Sequence, residues 1–313
     1  MVRFLLEHGA LVNIRDMDGR TPLLCAVTPR NKLRLESWEN CMKRFPVSHG
    51  ALKKDPEVLR LLLEHGAAVD AKDEVGGLTA LQYCFFDEYF TPSEEDAVRI
   101  LLKHGASTKV VTDTHNNLLH LAANQKWQAR SEIIRLLLEH GVPADAWNDD
   151  RETPLFFYLK KAQWMASASI VRIFLEHGTD VNGIGENGQS LLHYVCGLSG
   201  NDAVESARFL LKHGVPVDAQ DLKGETPLMY AVSHGRYENI QFLLKNGASV
   251  NTRSYNGRSA LMHAAMHKEG NAVRLLLEYG ASITLEDLRN LEWCKDDMIK
   301  AGFYWELQDA AYR

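Results

Sequence analysis

The chain has 313 residues, 45% hydrophobic and 24% charged, an ordinary core-forming composition at a length that fits either two globular domains or one elongated array. A net charge of −6 gives no basic footprint for nucleic acid, and no stretch approaches the roughly 18 apolar residues of a membrane span. Five cysteines (25, 41, 84, 196 and 294) lie far apart with no CxxC, which fits reduced thiols in the cytoplasm or nucleus.

The N-terminus, MVRFLLEHG, is interrupted by Glu7 and His8, which makes it a poor signal peptide. It reads instead as a helix ending at Gly9, and the same element returns along the chain. LLLEHG ends at Gly66, ILLKHG at Gly105, LLLEHG at Gly141, IFLEHG at Gly178, FLLKHG at Gly214, FLLKNG at Gly247 and LLLEYG at Gly280. The intervals between these glycines are 57, 39, 36, 37, 36, 33 and 33 residues. A second element precedes it in each full repeat: TPLL from Thr21, TALQ from Thr79, NLLH from Asn117, TPLF from Thr153, SLLH from Ser190, TPLM from Thr226 and SALM from Ser259.

Thr or Ser before an apolar segment is a helix N-cap, and Pro22, Pro154 and Pro227 sit in the first turn, where a missing N–H costs nothing. The second helix carries apolar residues at helical spacing (Val58, Leu61, Leu62) and stops at Gly, the residue suited to a left-handed C-cap. A short alternating arm and a tight turn such as DMDG or DLKG lead to the next helix.

Helix, loop, helix, glycine and hairpin turn at a period near 33 resemble the ankyrin repeat, over about residues 1–285. The resemblance implies an all-α ankyrin-repeat solenoid of paired antiparallel helices with hairpin-like arms. About seven full repeats are expected, with an N-terminal half repeat and a C-terminal capping helix over 286–313. Each repeat would contact its neighbours and bury a continuous core.

Three places depart from the pattern. An insertion at about 29–54, in the first full repeat, carries seven basic residues against Glu36 and Glu39 on a chain of net −6. It reads either as a solvated or edge-capping element, with Leu33, Leu35, Trp38 and Phe45 turned inward, or as a dock for an acidic partner. The chain opens on a second helix, so Phe4, Leu5 and Leu6 would leave an apolar edge; a longer array, cover from the insertion, or self-association through that edge would each account for it. The last segment loses the signature, and Phe303, Tyr304 and Trp305 are expected to anchor the cap.

Thirteen histidines raise the question of catalysis or metal binding. His8, His65, His104, His140, His177 and His213 all precede the helix-ending Gly, where an imidazole can meet the last carbonyls. His120 and His193 fall at the family's T-P-L-H position, which implies a link between turns of adjacent repeats. His193 with Cys196 is half a metal site with no second pair to complete it. No HExxH, GxSxG, P-loop or GxGxxG occurs in a credible context, so neither an enzyme nor a cofactor is expected. Aromatics recur one residue past the T-P-L-H histidine: Tyr83, Phe157, Tyr194 and Tyr230, with His263 in a fifth repeat. Packing between repeats explains them first. The alternative is an aromatic-lined small-molecule pocket, or an atypical active site, using these four with Tyr158 and Trp164.

The resemblance places partner contacts at the turn tips and on the first helix. By position these are Arg20, Phe86 and Asp87 in the earlier repeats and Lys160 and Lys161 farther on. Glu186, Gln189, Glu225 and His234 follow, then Tyr255, Arg258 and His267. The function so implied is a scaffold or adaptor that binds a partner protein or peptide on the concave face. Asn13, Asn182 and Asn251 resemble arm positions at which ankyrin asparagines can be hydroxylated.

Overall fold

A computed structural model describes residues 2–28, 55–86, 92–124, 130–162, 166–185 and 187–312. The chain divides into two compact blocks, 1–149 and 150–313. In the N-terminal block the helices are α1 (Val2–Glu7), α2 (Pro22–Val27), α3 (Pro56–Glu64), α4 (Ala80–Tyr83), α5 (Pro92–Lys103), α6 (Leu118–Ala123) and α7 (Arg130–Glu139). The second helices α1, α3, α5 and α7 form one row; of the first helices, α2 packs on α4. The insertion at 29–54 lies outside the described residues.

The C-terminal block repeats the arrangement. Its first helices are α8 (Pro154–Ala162), α10 (Leu191–Gly197), α12 (Pro227–Ser233) and α14 (Ala260–Met266), each packed on the next. Behind them runs the row of α9 (Ala168–Glu176), α11 (Asn201–Lys212), α13 (Tyr237–Lys245) and α15 (Gly270–Glu278). Phe156, Phe174, Leu191, Leu228, Leu243, Leu261 and Leu276 are buried between the rows.

The N-caps act as their residue types require. Thr21, Thr79, Asn117, Thr226 and Ser259 each accept a hydrogen bond from the backbone N–H three residues on, a contact worth about 1 kcal/mol. The glycines ending the second helices all have positive φ, from +75° at Gly141 to +90° at Gly214. A Cβ on any of these eight would meet nothing within 4 Å, so backbone conformation alone selects glycine there. The preceding histidines His8, His65, His140, His177 and His213 bring Nδ1 within 2.7–2.8 Å of the carbonyl four residues back.

Among the described residues the arms form no strand, only isolated antiparallel bridges such as Lys72–Thr79 and Arg253–Ser259. Asparagines tie one arm to the next: Asn13 donates to the Gly66 carbonyl and accepts from the Ala68 N–H, and Asn251 does the same with Gly280 and Ser282. Asn182 bonds instead to Asp180.

The expected capping helix is three short ones, α16 (Leu285–Asn290), α17 (Lys295–Lys300) and α18 (Tyr304–Tyr312). Phe303, Met298 and Leu307 are fully buried, and the built Cβ of Gly270 comes within 3.1 Å of the Phe303 ring. Trp305, expected as an anchor beside Phe303 and Tyr304, points outward instead. Cations on the last repeat face acids on the cap: Arg253 with Asp287, Lys268 with Asp297, and Arg274 with Glu306, at 2.7–3.0 Å.

Candidate interaction surface

The turns between arm and first helix are built alike. Asp16, Asp73 and Asp221 turn one carboxylate oxygen onto backbone N–H groups of their own turn: Asp18 and Arg20, Gly76 and Leu78, Lys223 and Glu225, respectively. Successive tips are joined backbone to backbone. Glu74 N–H donates to Asp18, Asp149 to Thr114, Leu222 to Asn187 and Tyr255 to Lys223, at 2.9–3.2 Å. The residue making this bond also seats against a glycine of the preceding turn, Glu74 at Gly19, Leu222 at Gly188 and Tyr255 at Gly224. The tips are therefore fixed in position although their side chains face water.

In the N-terminal block, Arg20 corrects the expectation of an outward contact residue. It is 3% exposed, with NH1 3.0 Å from Asp18 and the guanidinium against the Tyr83 hydroxyl. The turn in which Asp16 accepts from the Asp18 and Arg20 N–H groups sets the Asp18 carboxylate against the Arg20 guanidinium and draws Arg20 inward. Tyr83 is buried and donates to Asp73, and burial together with that carboxylate pushes its hydroxyl pKa up. Phe86 is half-buried and meets Tyr83 edge-on.

In the C-terminal block, Phe157 and Tyr158 are buried, with Tyr158 accepting from the Ser167 N–H and Lys161 lying over the Phe157 ring. Both rings belong to the packing. Lys160 is tied to the buried Glu152. Tyr194 and Tyr230, by contrast, are half-buried members of a hydrogen-bond relay. Tyr194 donates to Gln189, Gln189 donates to Tyr230, and Tyr230 donates to Asp221. Burial pushes the Tyr230 hydroxyl up to about 12, so it keeps the proton that the relay needs.

Asp221, which ends this relay, is not among the contact residues that the sequence pattern implies. The signal available was its place five residues before the Thr226 cap, matching Asp16 before Thr21.

His193 is fully buried, and burial holds its pKa below the usual histidine range. The Ser190 N–H donates to its Nδ1, so its Nε2 carries the proton and donates to the Glu225 carbonyl of the next turn. That is the link between turns the resemblance implied. His263 is also buried, with Nδ1 2.9 Å from Ser233 and Nε2 4.0 Å from the Glu225 carboxylate. Burial, with His267 and Arg258 nearby, lowers its pKa to about 4, while burial raises that of Glu225.

Around this interior, His234, Tyr255, Arg258 and His267 are exposed, and Gln189 and Glu225 are half-buried. His234 stacks on Tyr230, and His267 on His263. Asp87, Trp164 and Glu186 lie outside the described residues. Among the described residues no three His, Cys, Asp or Glu side chains converge as metal ligands, and no helix is long and apolar enough to cross a membrane.

Comparison with known proteins gives the arrangement a lineage. Residues 92–184 and 161–254 match the family of ankyrin repeats in three copies, and residues 18–74 and 256–288 match the single ankyrin repeat. The chain is 29% identical over 219 residues to neurogenic locus notch homolog protein 1 of Danio rerio, and 28% identical over 221 residues to that of Homo sapiens. These alignments cover 69% and 70% of this chain and 8% of each relative. NF-kappa-B inhibitor zeta of Homo sapiens is 28% identical over 145 residues, 44% of this chain and 20% of the relative. The chain thus spans a small fraction of the relatives it matches, and it belongs to the ankyrin repeat family.

Proposed function

We propose that this chain is a protein-interaction module that holds a partner protein or peptide against the turn tips and first helices of its C-terminal block, the concave side in the ankyrin arrangement, and carries out no chemistry of its own. The observation behind this is the relay Tyr194–Gln189–Tyr230–Asp221, which fixes half-exposed aromatic rings beside exposed His234, Tyr255, Arg258 and His267. Rigid aromatics next to Arg are the side chains that most often dominate binding energy. The ankyrin family and the interaction-type relatives point the same way, while the fold alone is compatible with many activities. Five scattered cysteines with no CxxC fit action in the cytoplasm or nucleus.

The test is cross-linking capture from source-cell extract with the whole chain and with a Tyr255→Ala/Arg258→Ala variant, each checked by thermal melting. A protein retained by the wild type and lost from an equally stable variant supports the reading. Retention of a small molecule and no protein would replace it.

A further inference from the structure

We propose that the two adjacent tips bearing Leu222–Lys223 and Tyr255–Arg258 form a docking surface for an extended peptide segment in which carboxylates flank a bulky apolar side chain. The inference rests on the interaction reading above and names the chemistry of its partner.

Leu222 and Tyr255 are 71% and 74% exposed, among the most exposed large apolar side chains of the described residues. Their backbone is not free to withdraw them. Leu222 N–H is held by Asn187 O, and Tyr255 N–H by Lys223 O, both at 2.9 Å. Each side chain sits against the glycine of the turn before it, Gly188 and Gly224, so the two residues are presented side by side. An apolar pair held rigid in water is preorganised for a partner, because little ordering remains to be done on binding.

Charge selects the partner. The carboxylates of these turns face inward: Asp221 is 3% exposed and engaged by Lys223 N–H, Glu225 N–H and the Tyr230 hydroxyl. Glu225 is half-buried, with its carboxylate 4.0 Å from the buried His263 ring. Lys223 and Arg258 stay exposed and form no ion pair among the described residues, their charges acting on the half-buried Glu225 without direct contact, on a chain whose net charge is −6. Two cations beside two apolar side chains complement an acidic segment with an apolar anchor. A nucleic-acid strand would satisfy the cations and leave Leu222 unused.

The experiment is selection of a phage-displayed library of random peptides of about 12 residues on the whole chain, counter-selected on a Leu222→Ser/Lys223→Glu/Tyr255→Ser/Arg258→Glu variant. Enriched sequences are then measured as synthetic fluorescent peptides by anisotropy, beside a fluorescent single-stranded oligonucleotide. Peptides rich in Asp and Glu around a Leu, Phe or Met are expected. The variant should weaken their binding at least ~10-fold, and raising salt from about 0.05 to about 0.5 M should weaken it several-fold. Neutral or basic winners, undiminished binding to the variant, or tighter binding of the oligonucleotide would overturn this inference and leave the interaction reading standing. Enrichment of nothing would overturn both. If the fourfold variant melts without cooperativity, the exposed Lys223→Glu/Arg258→Glu pair and the salt titration of the wild type decide.

Discussion

The tips of the two blocks share one backbone device and carry opposite chemistry. At the position whose N–H bonds to the preceding turn, the N-terminal block places Glu74 and Asp149, and the C-terminal block places Leu222 and Tyr255. Asp149 is engaged with His115 at 2.7 Å, whereas the apolar pair faces water with Lys223 and Arg258 beside it. The hydrogen-bond ladder therefore specifies the chain path and leaves the side chain open. Below the tips the difference reverses: the first block buries a charged Arg20–Asp18 contact beside Tyr83, and the second keeps Tyr194 and Tyr230 half-exposed in a relay.

The sharpest way to break this comparison is to disturb the seats. Gly224 has φ +73°, and a Cβ there would lie 2.8 Å from the backbone N of Tyr255; at Gly19, with φ +72°, its three nearest neighbours would be Glu74 side-chain atoms, of which Cγ and Cδ can swing away. Gly224→Ala should therefore destabilise by about 2–4 kcal/mol and Gly19→Ala by about 1–2 in denaturant titrations. Equal losses would mean that the backbone ladder does not set the difference.

Acid should act on the second block next. Folded His263 titrates near 4 because burial disfavours its charged form, so the unfolded chain takes up the proton first. Its contribution is complete above the ordinary histidine value and is lost as pH falls from about 6.5 toward 4, an effect of about 1–3 kcal/mol. Glu225, with its carboxyl raised by burial, opposes this by favouring the folded state as it protonates. His263→Gln should flatten the pH profile of the melting temperature between those values; an unchanged profile would remove His263 from the explanation.

Tyr83→Phe should follow, at about 1–2 kcal/mol, since it strips a donor from Asp73, which is 4% exposed. Tyr230→Phe should likewise cost about 1–2 kcal/mol, since it strips a donor from Asp221, which is 3% exposed, and an acceptor from Gln189. The smallest effect is expected from exchanging the seats: Glu74→Leu and Leu222→Glu should each shift stability by no more than about 0.5 kcal/mol. A larger shift would show that the side chain, and not only the backbone, belongs to the fold.

The fold was legible because its signals are local and repeated. A Thr cap, an apolar helix and a glycine forced to positive φ each follow from short-range physics, and the recurrence at 33–39 residues confirms them jointly. The His–carbonyl contacts were legible for the same reason, and the His193 link was implied by the resemblance to the ankyrin repeat. Arg20 was not: its GRTP context looks like any turn tip, and its burial depends on Asp18 in the same turn and on Tyr83 in the next repeat. Tyr83 and Tyr230 share one sequence register, yet one is buried and the other half-exposed, a difference that depends on neighbouring repeats rather than on local pattern. In sequence the cap resembles one helix because its charges alternate smoothly with Leu288, Leu291 and Met298; the turn at Gly302, φ +78°, is one of its interruptions.

The ladder that joins Lys223 to Tyr255 has a consequence for descent as well as for binding. Because each tip is held through main-chain atoms, a single codon change at a seat rewrites the chemistry of that tip and leaves the register of its neighbours intact. An array built this way can change partners one tip at a time, every intermediate remaining folded, so its binding preference can drift faster than its architecture.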